Sequence, residues 1–158
     1  QFTSRINLSA HLMVNDPRKY VVPLVKNGFK RLIADIGGFS IREFIDECRA
    51  HNIETGVALD GPAPIELIEP YLYEVDCVLL MTIKTGFSGT PFLPQVLEKI
   101  KKVHEMYPLL PIQVDGGINP DTAKEVIAAG ATRLISTSFL FWKNPHRIQE
   151  AIEELRGA

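Results

Sequence analysis

Apolar, strand-like runs alternate along this chain with capped, amphipathic helical stretches, and that alternation restricts the possible folds more than any other feature. Ile6–Val14 reads as a strand. Asn15-Asp16-Pro17 then opens a helix, with Asp16 as N-cap and Pro17 at the first helical position. Gly28 ends that helix, and Arg31–Ile36 forms the next strand. Ser40 caps a helix over Ile41–Ala50, with Glu43 completing a capping box. Gly56–Asp60 is a strand, Pro64–Tyr73 a short helix, and Cys77–Ile83 a strand too apolar to have a wet face. Leu93–Met106 is a helix and Ile112–Asp115 a strand. Asn119-Pro120-Asp121 caps a helix to Ala129, which Gly130 ends. Arg133–Thr137 is the last strand, and Asn144-Pro145 opens a final helix over Ile148–Leu155.

Strands separated by helices pair in parallel, because a parallel neighbour needs a crossover. A fully apolar strand such as Val78–Met81 belongs in a sheet covered on both faces or closed on itself. Gly28–Ile33 and Gly130–Ile135 share the pattern Gly-x-x-Arg-Leu-Ile, a faint internal repeat that supports an iterated unit. An open doubly wound sheet and a barrel both fit this pattern. No Gly-rich fingerprint follows the first strand, which counts against a dinucleotide-binding sheet. His11, Met13, Asp35, Asp60, Met81, Asp115 and Ser138 lie at strand ends, and polar groups there favour a barrel site. The expected fold is therefore α/β, of the (β/α)8 TIM-barrel type, forming one domain over residues 1–158. A complete barrel takes about 250 residues, so about six strand–helix units are expected in these 158 residues, an incomplete barrel. The first residue is Gln rather than Met and a strand pattern begins almost at once, so the chain is expected to start inside a fold.

A formal net charge of -2 offers no basic stripe, so no nucleic-acid partner is expected. No apolar run approaches the ~18 residues of a membrane helix, and none resembles a leader, so no membrane partner is expected and the location is read as cytoplasmic. Cys48 and Cys77 sit in helical or apolar patterns without metal-like spacing, and both are expected as reduced, buried thiols.

Three loops carry phosphate-type signals: Gly86-Phe87-Ser88-Gly89, Asp115-Gly116-Gly117-Ile118-Asn119, and Thr137-Ser138. Glycines let a backbone approach an anion, and N–H groups at a helix start add donors. Each loop alone reads more readily as a tight turn; together they point to one phosphate. His11 reads either as a satisfied core histidine or as a ligand. Asp115, ending an apolar strand, is costly to bury unless paired or metal-bound. One nitrogen and one oxygen donor leave a metal site incomplete. Met13 and Met81 read as core filling, Phe139, Phe141 and Trp142 as packing, and Glu98–Lys102 as a solvated face. His51, His104 and His146 read as surface residues.

His11-Leu12-Met13-Val14 with Asn15-Asp16-Pro17, and then Gly56–Leu59, Met81-Thr82-Ile83, Gly86–Phe92, Leu97–Ile100 and Val114–Asn119, resemble segments of the ribulose-phosphate 3-epimerase family. The resemblance runs through nearly the whole chain, in order. It implies a (β/α)8 barrel of the pentose phosphate pathway. Such an enzyme binds a divalent metal (Zn, Fe, Mn or Mg) and interconverts D-ribulose 5-phosphate and D-xylulose 5-phosphate. By resemblance, His11 is a metal ligand, and Asp115 is a metal ligand and one of two acid/base groups. Met13 and Met81 line the site, and Gly86, Ser88, Gly89, Gly116, Gly117, Thr137 and Ser138 take substrate-binding positions. The chain departs from the family in several places. It aligns from near the third strand, so a further metal histidine, the partner aspartate and a serine have no counterpart in it. Asp35-Ile36-Gly37 stands where the family has His-x-Glu. Thr85–Thr90 replaces Pro-Gly-Phe-Gly-Gly-Gln, and Thr137-Ser138 replaces Gly-Ser.

The expected function is epimerisation at C3 through an enediolate, assisted by the metal. The alternatives are a related phosphosugar-barrel enzyme, such as an aldolase-like lyase, and a non-catalytic phosphosugar-binding remnant. The expected partner is a small-molecule ketose phosphate. Unpaired parallel edges invite association, so a homo-oligomer is also expected.

Overall fold

The computed structural model describes residues 6–37, 39–86 and 90–158. Among them six strands follow in chain order through a sheet: β1 (Leu8–Leu12), β2 (Phe29–Asp35), β3 (Glu54–Leu59), β4 (Cys77–Met81), β5 (Ile112–Asp115) and β6 (Arg133–Ile135). Between them lie α1 (Arg18–Lys26), α2 (Ile41–Ala50), α3 (Val96–Met106) and α4 (Pro120–Ala129), with α5 (Ile148–Arg156) last. The chain forms two compact units, one of Gln1–Leu59 with Pro64–Leu79, the other of Asp60–Ala63 with Leu80–Ala158.

In the first unit β1 pairs in parallel with β2, and β2 with β3. Leu32, Ile33 and Ala34 are buried, as is every residue of Thr55–Leu59, so these strands are covered on both faces. Phe44, Ile45 and Cys48 of α2 are buried as well. Gly56 has a packing reason: a Cβ there would lie 2.7 Å from Cys77 Sγ. In the second unit β5 pairs in parallel with β6. Ile100, Ile112, Val114 and Val126 belong to its fully buried core.

Several boundaries differ from the sequence reading, each for a local reason. β1 is shorter than Ile6–Val14, and Met13 and Val14 lie beyond it, 57% and 38% exposed. Pro17, not Asp16, sits at the cap of α1, with no side-chain cap bond. The Asp16 carboxylate instead accepts from Arg18 Nε at 2.8 Å and Nη2 at 3.2 Å, a charge-assisted fork that holds its carboxyl below the usual range. Ser40 does cap α2, accepting from the Glu43 N–H at 3.4 Å, while the Glu43 carboxylate takes Arg18. Pro64–Tyr73 is not one helix but two 3₁₀ turns, Ile65–Leu67 and Glu69–Tyr71. Pro70 has no N–H to continue the ladder. α3 begins at Val96 rather than Leu93, because Pro94 keeps the residue before it out of helical space. β6 stops at Ile135, and Ser138–Lys143 form a π-helical turn. Phe141 and Trp142, expected to pack, are 54% and 62% exposed on that turn. Cys48 and Cys77 are buried and in no disulfide.

Candidate active site

Asp115 ends β5, and its surroundings are built by the following turn. Thr82, fully buried just past β4, donates its backbone N–H to the Asp115 carbonyl at 2.8 Å. Its hydroxyl faces the same carbonyl at 3.0 Å and the Gly116 carbonyl as well. Gly116 has φ +113°, and a Cβ there would meet Ile83 Cγ1 at 2.4 Å, so backbone and packing both require glycine. Gly117 is left-handed at φ +67°. Ser136 donates its hydroxyl to the Ile118 carbonyl at 2.7 Å, tying the end of β6 to the same turn.

These ties leave a cleft of about 90 Å³, lined by Asp115, Gly116, Gly117, Thr137 and Ser138 together with Ile83, Ile118, Ile135, Ser136 and Trp142. One water needs ~10–15 Å³ on that measure, so a group of several heavy atoms fits. Five residues singled out from the sequence thus meet in one cavity. Thr82, Ile83 and Trp142 carried no signal in the sequence, since Thr82 and Ile83 read as strand and Trp142 as packing. The start of α4 contributes less than its dipole promises. The Asn119 side chain accepts from Asp121 N at 2.9 Å and Thr122 N at 3.3 Å, and Thr122 Oγ1 accepts from Asn119 N at 3.0 Å. That capping box uses the first helix donors. An anion in the cleft is left with the backbone around Gly116–Gly117 and Thr137–Ser138 and their hydroxyls.

A second set of ties in this unit joins the loops after β3 and β4. Asp60 Oδ1 accepts from Gly61 N, Thr85 N and Thr85 Oγ1 at 2.9, 3.0 and 2.8 Å. Lys99 Nζ donates to the Gly61 and Ala63 carbonyls. Together they fix the base of the loop that enters Gly86, where φ is +110°. Ser88 and Gly89 lie outside the described residues. Met81, ending β4, is 4% exposed.

In the first unit, His11 Nε2 lies 3.0 Å from Asp35 Oδ1, with side-chain exposures of 14% and 40%. His11 Nδ1 is buried and has no hydrogen-bond partner. Met13, one residue past β1, rims a separate surface hollow with Val14, Asn15, Asp16, Lys19 and Tyr20. His51, His104 and His146 are exposed, as expected. Among the described residues no group of three or more His, Cys, Asp or Glu is placed to hold a metal ion. His11 and Asp35 together offer one ring nitrogen and one carboxylate, short of the four ligands usual for zinc.

The sequence pattern of the "Ribulose-phosphate 3 epimerase family" matches residues 1–141. The chain belongs to this family. It is 34% identical over 139 residues to the "Ribulose-phosphate 3-epimerase, cytoplasmic isoform" of Oryza sativa subsp. japonica, covering 85% of this chain and 61% of that protein. It is also 34% identical over 157 residues to the ribulose-phosphate 3-epimerase of Bacillus subtilis (strain 168), covering 96% of this chain and 71% of the relative. The chain thus spans roughly two thirds of the length of such family members. Solved structures share the fold at low identity. The KGPDC of Streptococcus mutans in complex with D-R5P has a TM-score of 0.77 at 17% identity, covering 97% of this chain and 74% of that one. The 3-hexulose-6-phosphate synthase has 0.73 at 19%, covering 94% and 72%. The fold class is therefore α/β of the TIM-barrel type, with six parallel strands among the described residues. No helix among the described residues is long and apolar enough to cross a membrane.

Proposed function

We propose that this epimerase-family chain carries the Asp115 side of a site interconverting D-ribulose 5-phosphate and D-xylulose 5-phosphate. The observation that supports it best is the single cleft shared by Asp115, the Gly116–Gly117 turn and Thr137–Ser138. The C3 proton of the substrate is acidified by the neighbouring ketone. The Asp115 carboxylate takes or returns that proton on one face, and a second acid serves the opposite face. Backbone around Gly116–Gly117, Gly86 and Thr137–Ser138, with Ser88 and Gly89, holds the phosphate. Met81 and Met13 are the polarisable side chains that the reading assigns to the reacting carbons. His11 would offer a ring nitrogen and Asp115 a carboxylate to a divalent cation, which would supply Lewis-acid chemistry when bound. The proposed setting is a cytoplasmic enzyme of the pentose phosphate pathway, self-associating through its sheet edges, with a ketose phosphate as its partner.

Incubation of ribulose 5-phosphate in deuterium oxide tests this reading. Deuterium appearing at C3, lost in Asp115→Asn, is the expected result. Cleavage products without exchange favour the lyase, and phosphate-ester binding without exchange or cleavage favours the non-catalytic binder; either outcome refutes the proposal. Sedimentation velocity tests the self-association, which a monomer at all concentrations refutes.

A further inference from the structure

We propose that Trp142 is a specificity-determining residue of the Asp115 cleft, its indole face packing against the carbon chain of a bound phosphate ester. Every residue lining that cleft lies in the second unit. Ser138 and Trp142 stand four residues apart on the π-helical turn Ser138–Lys143, and both line the cleft. Hydrogen bonds hold the turn in shape. The Phe141 N–H donates to the Thr137 carbonyl at 2.9 Å, and Asn144 Nδ2 donates to the Phe139 carbonyl at 2.8 Å. The indole is thus presented from a bonded backbone, and a side chain with few rotatable bonds loses little freedom on meeting a ligand. Trp142 is 62% exposed, so packing into a core does not account for its place.

The cleft offers two chemistries. Gly116, Gly117, Thr137 and Ser138 bring backbone and hydroxyl groups, while Trp142 brings an aromatic face. A phosphate ester has two parts to match them. Its anionic head is repelled by the negative face of a π-system, whereas its slightly positive C–H groups are attracted to it. The head therefore goes to the glycine and hydroxyl turns, and the chain leaving it passes over the indole. Such a wall holds a sugar phosphate more tightly than free phosphate and makes the cleft select for the chain.

This inference rests on the phosphate-ester reading of the cleft in the proposed function, and the tests keep their failures apart. Calorimetry compares inorganic phosphate with ribitol 5-phosphate, which has no ketone and so is not turned over. Trp142→Ala should weaken the ester about 3–10-fold and leave inorganic phosphate unchanged. Trp142→Phe, which keeps a ring but loses the indole N–H, should retain most of the ester affinity. Equal losses for both ligands, no loss for the ester, or a phenylalanine variant as weak as the alanine one overturns the inference. Nuclear Overhauser transfer from the indole protons to the C4 and C5 protons of the bound ester reads the contact in wild type, without any substitution. Its absence also overturns the inference. Deuterium exchange at C3 without that contact leaves the epimerase reading standing and removes this one. The contact without exchange does the reverse, and a wild type that binds neither ligand refutes both.

Discussion

Gly116→Ala separates two costs that the turn after β5 combines, and Gly117→Ala, one residue along, is its control. Gly117 has φ +67° and its hypothetical Cβ would find nothing nearer than Phe92 Cβ at 3.5 Å, an ordinary contact. Alanine there bears only the left-handed backbone cost, ~1–2 kcal/mol. Gly116 has φ +113°, and its Cβ would lie 2.4, 2.9 and 3.0 Å from three side-chain atoms of Ile83. Overpacking of that kind costs a further ~1–3 kcal/mol, so Gly116→Ala should lose about 2–5 kcal/mol in all. Urea unfolding followed by circular dichroism reads the difference. With a slope of about 2 kcal/mol/M, a 3 kcal/mol loss lowers the midpoint by about 1.5 M. Ile83→Ala removes all three clashing atoms. The double variant should therefore be more stable than the two single losses predict, with a coupling of about 1–3 kcal/mol. Additive losses, or a Gly116→Ala no worse than Gly117→Ala, would refute the packing explanation.

Three more outcomes are expected. Asn119→Ala should lower stability by ~0.5–2 kcal/mol in the same assay, since it removes the acceptor for two backbone N–H groups at the start of α4. Burial pushes the Cys48 thiol up to about 12 from an ordinary value of 9.0. The folded state thus keeps the neutral thiol where the unfolded chain ionises. Its contribution to stability is full below pH 9 and is lost as pH rises toward 12. Cys48→Ala should flatten that alkaline decline, and an unchanged pH–stability profile would contradict the burial. Trp142 is the only tryptophan in the chain and lines the Asp115 cleft, so inorganic phosphate or ribulose 5-phosphate should change its fluorescence in a saturable way. A flat titration would argue against an anion in that cleft.

Much of the architecture follows from short-range pattern. Ile112–Asp115 was legible to the residue, and Ser40, Asn119 and Gly130 mark helix ends where the sequence puts them, because capping is a contact within one turn. The errors share a cause. Asp16 reads as a cap until Arg18 claims it, and Pro64–Tyr73 reads as a helix until Pro70 interrupts its ladder. In each case a competing partner or a missing donor outweighed propensity.

The sequence by itself determined the strand–helix alternation, the glycine turn after Asp115 and the family, since all three are properties of neighbouring residues read in order. Only the tertiary structure decided that Asp35, 24 residues away, faces His11, and that Thr82 holds Asp115 in place. It also decided that Trp142 opens onto the cleft rather than into a core. Those depend on strand register and on which of several possible partners arrives within three ångströms, and neither is encoded in any local period.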